Sequence, residues 1–95
     1  MIESDSCEWC EIWHQEIGPI YPKTAEGKLA PLRRIDIADD IPKDLAKLRR
    51  ASFTPTFILM DNGKEVSRIL GYPGEDFFWG LLEEALTKIG FKPNS

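Results

Sequence analysis

The alternation of apolar and polar residues divides the chain into segments with distinct periods. Trp9, Ile12, Trp13 and Ile17 stand at i, i+3, i+4 and i+8, one apolar stripe that predicts a helix opening near residue 7. Glu16 falls inside that stripe, and nothing in the sequence accounts for it. Gly18-Pro19 ends the segment. Residues 21–31 read as a connector holding a short helix over residues 25–30, with Thr24 as its N-cap. Residues 32–37 predict a strand with Ile35 and Ile37 on one face. Pro42 suits the first position of a second helix, with Ile41, Leu45 and Leu48 facing inward and basic residues at its end.

The C-terminal half is patterned more sharply. Residues 56–60 form a near-continuous apolar run, the mark of a strand covered on both faces. Asn62-Gly63 comes next, a dipeptide suited to positive φ at both turn positions, and so predicts a two-residue hairpin. The returning strand is Lys64–Leu70, in which Glu65, Ser67 and Ile69 alternate with Val66, Arg68 and Leu70, and Gly71-Tyr72-Pro73-Gly74 breaks it. Phe78, Leu81, Leu82, Ala85, Leu86 and Ile89 then line one face of the clearest helix. Glu75 and Asp76 open it, Lys88 lies in its last turn and Gly90 closes it. Phe77 and Trp79 widen the apolar face. Gly80 within it predicts tight packing, because glycine there costs about 1 kcal/mol relative to alanine.

Ninety-five residues make a single domain, 1–95, large enough to bury a core without staples. An apolar fraction of 42% with 29% charged residues excludes a disordered chain. A net charge of −4 without a basic stripe excludes a nucleic-acid partner. Arg33-Arg34 and Arg49-Arg50 read as solvated faces. No apolar run approaches the roughly 18 residues that cross a membrane, so direct membrane insertion is not expected. The opening Met1-Ile2-Glu3-Ser4-Asp5 is not a signal peptide, which by itself suggests the cytoplasm. Only six residues precede Cys7, however, room for the end of a strand but not for a whole one. A truncated N-terminal strand is therefore expected, and an exported parent chain stays open.

The chemistry concentrates in Cys7-Glu8-Trp9-Cys10, which holds both cysteines of the chain. On a helix a three-residue step turns about 300°, so the two sulfurs share a face within bridging reach. A helix N-terminus presents unpaired N–H groups and partial positive charge, which favour a thiolate. Cys7 then reads as the exposed, activated sulfur and Cys10 as its shielded partner. A lone Cys-x-x-Cys near a βα pattern favours this redox reading. An inert buried pair and half of a zinc site remain as alternatives. Zinc takes four protein ligands, or three with an open position, and His14 is the only other strong nitrogen ligand. A zinc site would therefore need carboxylates or a second chain, and no metal or cofactor is expected. His14 reads as a helix-surface histidine rather than a proton relay.

The order of elements resembles the thioredoxin fold, entered just before its redox-site helix. The resemblance spans essentially the whole chain. It implies an α/β three-layer sandwich, a mixed central sheet flanked by helices, with a cis-proline at Thr54-Pro55-Thr56 facing the dithiol. The segments 7–13, 53–57 and 71–78 are similar to those of the SoxS-like periplasmic thioredoxins of bacterial sulfur oxidation. That family implies thiol–disulfide reduction of a disulfide- or persulfide-bearing protein, the cysteine-bearing sulfur carrier of a Sox pathway, fed by an upstream thiol reductant in the periplasm. On this reading Cys7 attacks and Cys10 resolves. Thr54 offers its backbone to the partner like an added strand, Pro55 keeps metal away, and Trp9 and Tyr72 form an apolar rim.

Two features depart from common thioredoxins. Met1 stands where they carry a buried aspartate, which leaves water or Glu3 to deprotonate Cys10. The dipeptide between the cysteines is Glu-Trp rather than Gly-Pro, and an acidic Glu8 opposes the Cys7 thiolate, making the couple more reducing. Two rival readings stay open. One is a glutaredoxin-like reductase with Arg49-Arg50 as the cationic site for glutathione. The other is a non-catalytic binding module with structural or zinc-bridging cysteines.

Overall fold

The computed structural model describes residues 1–46 and 48–92. Its centre is a mixed four-stranded sheet in the order β2-β1-β3-β4, formed by β1 (Ile2–Glu3), β2 (Ile35–Asp36), β3 (Thr56–Asp61) and β4 (Lys64–Leu70). β1 runs parallel to β2 with Ile2 opposite Ile35, and antiparallel to β3 with Ile2 opposite Thr56. β3 and β4 form the hairpin that Asn62-Gly63 predicts, with φ of 52° and 77° at the two turn residues. The helices are α1 (Glu8–Glu16), α2 (Ala25–Leu29) and α3 (Glu75–Thr87). Thr24 caps α2 as expected, its Oγ1 accepting from the Gly27 N–H at 3.0 Å.

Alternation along the strands sorts side chains to two faces. Phe57 and Ile69, paired across the hairpin, join Met1, Trp13, Ile17, Tyr72, Phe78, Leu82 and Leu86 in the main core. Trp13 lies at its middle, fully buried, with its ring centroid 5.3 Å from Phe57 and 5.8 Å from Phe78. Burying an aromatic of this size contributes roughly 4–6 kcal/mol at about 25 cal/mol per Å2. Against that, its indole N–H has no hydrogen-bond partner among the described residues. No helix among the described residues is long and apolar enough to cross a membrane.

Sequence pattern and structure part company in several places. The second helix expected from Pro42 is a single 3-10 turn, Lys43–Leu45. Pro42 itself stays extended, with ψ of 147°. Ile41 and Leu45 are half-buried and Leu48 is buried, too little apolar surface to offset the cost of nucleating a helix. Lys47, which that helix would include, lies outside the described residues. The strand over 32–37 contracts to β2 because its neighbour β1 offers only two residues to pair with. Ile58, Leu59 and Met60 are half-buried rather than covered on both faces. The short β1 leaves the far end of β3 unpartnered on that side. A cavity of about 430 Å3 lies there, with Leu32, Ile35, Leu48, Ile58 and Met60 in its wall.

The wide apolar face expected of α3 is also narrower. Phe78, Leu82, Ala85 and Leu86 are buried, whereas Phe77 is 72% exposed and Leu81 is exposed too. The 100° step of the helix carries Phe77, Gly80 and Leu81 to the side away from the sheet. Gly80 is consequently not packed tightly: a Cβ there would meet nothing within 4 Å.

Candidate active site

Cys7 is the N-cap of α1, in extended conformation (φ −91°, ψ 101°), and its Sγ accepts a hydrogen bond from the Cys10 N–H at 3.1 Å. Its own N–H donates to the Ser4 carbonyl at 3.3 Å, which closes the turn through Asp5-Ser6. Cys7 and Cys10 are joined as a disulfide with Cα atoms 5.2 Å apart. An N-cap acceptor sits where the unpaired N–H groups of the first turn converge. The same position favours negative charge on the Cys7 sulfur once the bond is reduced. One expectation is corrected: Cys7 is not the exposed sulfur. It is 8% exposed and Cys10 2%, because Cys7 Sγ turns inward onto Cys10, which belongs to the core beneath.

The loop before β3 is tied to the turn ahead of α1 and, through Gly71, to the segment that reaches the end of α1. The Thr54–Pro55 peptide is cis, and Pro55 is buried. Thr54 Oγ1 shares a 2.9 Å hydrogen bond with Ser4 Oγ, just ahead of the helix. The Pro55 carbonyl accepts from the Gly71 N–H at 2.8 Å, and the neighbouring Tyr72 donates its hydroxyl to Glu16 Oε1 at 2.6 Å, in the last turn of α1. Glu16, the misfit of the apolar stripe, is thus the acceptor for a tyrosine 56 positions away. Burial, then the Glu16 bond, pushes the Tyr72 phenol above its ordinary value. Tyr72 is accordingly not part of an exposed rim. It is 6% exposed, and its ring packs on Phe78. Trp9 does face solvent, 56% exposed, although it shares the helical stripe of Trp13.

Charged groups gather below the disulfide. Arg34 grips Glu3 with Nε at 2.6 Å from Oε2 and Nη2 at 3.1 Å from Oε1, while His14 Nε2 lies 3.0 Å from Oε1. Arg34 above all holds the Glu3 carboxyl below its ordinary range; burial works against it, and His14 adds a lesser lowering. Glu3 is therefore committed to the Arg34 guanidinium and the His14 ring rather than held free as a base for Cys10, and His14 is a hydrogen-bonding partner of Glu3 rather than a bare surface residue. Met1, in the place of the expected aspartate, packs in the core with both cysteines. Of the Arg49-Arg50 pair, both carbonyls accept from Arg68, and the Arg49 side chain reaches Glu65 at 3.7 Å. Two residues of the site escaped the sequence reading. Glu16 carried a signal, a charge inside an apolar stripe; Ser4 carried none.

No protein-family model and no curated protein matches the chain. Among solved structures it is similar to the crystal structure of the periplasmic thioredoxin SoxS from Paracoccus pantotrophus in its reduced form. The two share 44% sequence identity and superpose with a TM-score of 0.87 over 94% of each chain. At that identity the likeness extends beyond the backbone to the family.

Proposed function

The chain belongs to the thioredoxin family of thiol–disulfide oxidoreductases, and on that premise we propose that it works as a dithiol reductase of a protein partner in the periplasm. The observation that carries this reading is the placement of Cys7: an N-cap sulfur on the Cys10 N–H, in a turn that Ser4 ties to the cis Thr54–Pro55 loop.

In the reducing direction the Cys7 thiolate attacks one sulfur of the partner disulfide. A Cys7–partner bond forms, the partner S–S bond breaks, and one partner thiolate leaves. Cys10, deprotonated, then attacks Cys7 Sγ, forming the intramolecular disulfide and expelling the second partner sulfur. Two electrons pass from the dithiol to the partner, and two protons end on the released thiols. With a persulfide partner the same two attacks release the partner thiolate and sulfide. Re-reduction takes two electrons from an upstream dithiol. Thr54 pairs with the partner as an added strand, Pro55 closes the floor beside the sulfurs, and exposed Trp9 supplies the apolar contact. Glu8, in the exposed first turn, disfavours the thiolate and keeps the couple reducing.

The similarity to a periplasmic SoxS supports the location, and supports the cysteine-bearing sulfur carrier of a Sox pathway as partner. A trapping experiment tests the assignment. Cys10→Ser protein incubated with periplasmic extract should accumulate a covalent adduct through Cys7 that reductant releases, with the sulfur carrier among the trapped proteins. Cys7→Ser should trap almost nothing. Equal trapping by both reverses or abolishes the roles, and glutathione alone on Cys7 points to the glutaredoxin-like chemistry instead.

A further inference from the structure

The exchange reaction needs two parts of the chain in fixed register. Cys7 must meet the partner sulfur, and the Thr54 backbone must pair with the partner strand. These parts lie 47 positions apart and on different elements, Cys7 at the start of α1 and Thr54 ahead of β3. Ser4 touches both. Its carbonyl accepts the Cys7 N–H at 3.3 Å, and its hydroxyl shares a 2.9 Å bond with the Thr54 hydroxyl.

The stretch leading to Thr54 has little else to hold it. Residues 49–55 belong to no helix or strand. Arg68 binds the carbonyls of Arg49 and Arg50 at its start, and Thr56 Oγ1 donates to the Phe53 carbonyl at 2.8 Å. Gly71 holds Pro55 from the β4 side. None of these contacts reaches the cysteine loop. Among the described residues, the Ser4–Thr54 bond is the side-chain hydrogen bond that does.

We propose that Ser4 is a positioning residue for disulfide exchange, setting the gap between the Cys7 sulfur and the strand-pairing edge at Thr54 through its bond to the Thr54 hydroxyl. The proposal rests on the reading of Thr54 as the partner-pairing residue. Ser4 then matters for disulfides carried on an extended peptide and not for small disulfides, which reach Cys7 without pairing to Thr54. A neutral hydrogen bond of ordinary strength corresponds to a factor of about 2–10.

The test measures second-order rate constants of reduced wild-type and Ser4→Ala protein with two oxidants, insulin as a peptide disulfide and hydroxyethyl disulfide as a small one. Ser4→Ala should slow insulin reduction about fivefold, leave the hydroxyethyl disulfide rate unchanged, and leave the reduction potential of the pair in place. Ser4→Thr, which keeps the hydroxyl, should restore insulin reduction. In a Thr54→Val background, Ser4→Ala should add no further loss on insulin. Equal slowing with both oxidants, no slowing with either, or additive losses in the double variant overturn the proposal. Should Ser4→Ala fail to fold, Ser4→Gly reads the same comparison. Failure of the functional reading looks different: wild-type protein would then reduce the small disulfide and leave insulin untouched.

Discussion

Removing the Tyr72 hydroxyl isolates the link between the two chain segments that build the site. In a Tyr72→Phe protein the ring keeps its packing on Phe78 and in the core, and only the 2.6 Å bond to Glu16 is lost. A secluded hydrogen bond to a charged acceptor contributes roughly 1.5–3 kcal/mol. Glu16 is exposed, so water resolvates its carboxylate once the hydroxyl is gone, and the net loss should be about 1 kcal/mol. For a chain of 95 residues that is a fall in Tm of about 4–8 °C.

Urea unfolding of the oxidised protein should show a lower Cm at unchanged slope. Glu16→Ala should lose a similar amount, and the double variant little more, since both changes remove one bond. The pH dependence has a fixed sign. A phenol raised in the folded state contributes fully below its unfolded value of 10.0 and is lost as pH rises through the folded one. The advantage of wild type over Tyr72→Phe should therefore be flat from pH 6 to 9 and shrink above pH about 10. A cost below about 0.3 kcal/mol, additive losses with Glu16→Ala, or an advantage that persists unchanged at high pH would refute the reasoning.

Three other outcomes are expected from features of the fold. Gly80→Ala should raise Tm, because an added methyl meets open space and alanine gains about 0.8–1 kcal/mol in a helix interior. Glu3 is held below its ordinary 4.5 by Arg34 and His14, so the stability it confers is present above that value and lost as pH falls through the lowered one. Denaturation midpoints of wild type and Glu3→Gln should differ at pH 6 and converge in acid, and a constant gap would remove the ion pair from the account. The Cys7–Cys10 couple should titrate nearer to about −270 mV than to about −120 mV, and Glu8→Gln should shift it toward the oxidising side. A wild-type potential above roughly −180 mV contradicts the role given to Glu8.

Local chemistry made much of this fold legible. Asn62-Gly63, the Thr24 cap and the Phe78–Leu86 stripe each specify their element through residues adjacent in sequence, and each appears where expected. The Cys-x-x-Cys announced its own disulfide and its place at a helix start. The hidden features depend on partners far along the chain. Glu16 makes sense only beside Tyr72, and Tyr72 looked like a surface aromatic until that bond and Phe78 took it inside. The segment after Pro42 has apolar residues at helical spacing, yet one turn of them could not hold a helix. Gly80 suggested crowding, but helix phase alone put it on the open side.

The main core has an uneven distribution along the chain. Cys7, Cys10 and Trp13 lie near the front, while Phe57, Tyr72, Phe78, Leu82 and Leu86, which enclose them, belong to the back. The front can be enclosed only once the back has docked on it. Until then the two thiols are part of an open chain, without the capped helix that later sets their reactivity. An unfolded chain thus offers its dithiol to any oxidant or modifying reagent before it can act on a partner of its own. Completion of the hairpin and α3 is the event that withdraws the sulfurs from general chemistry.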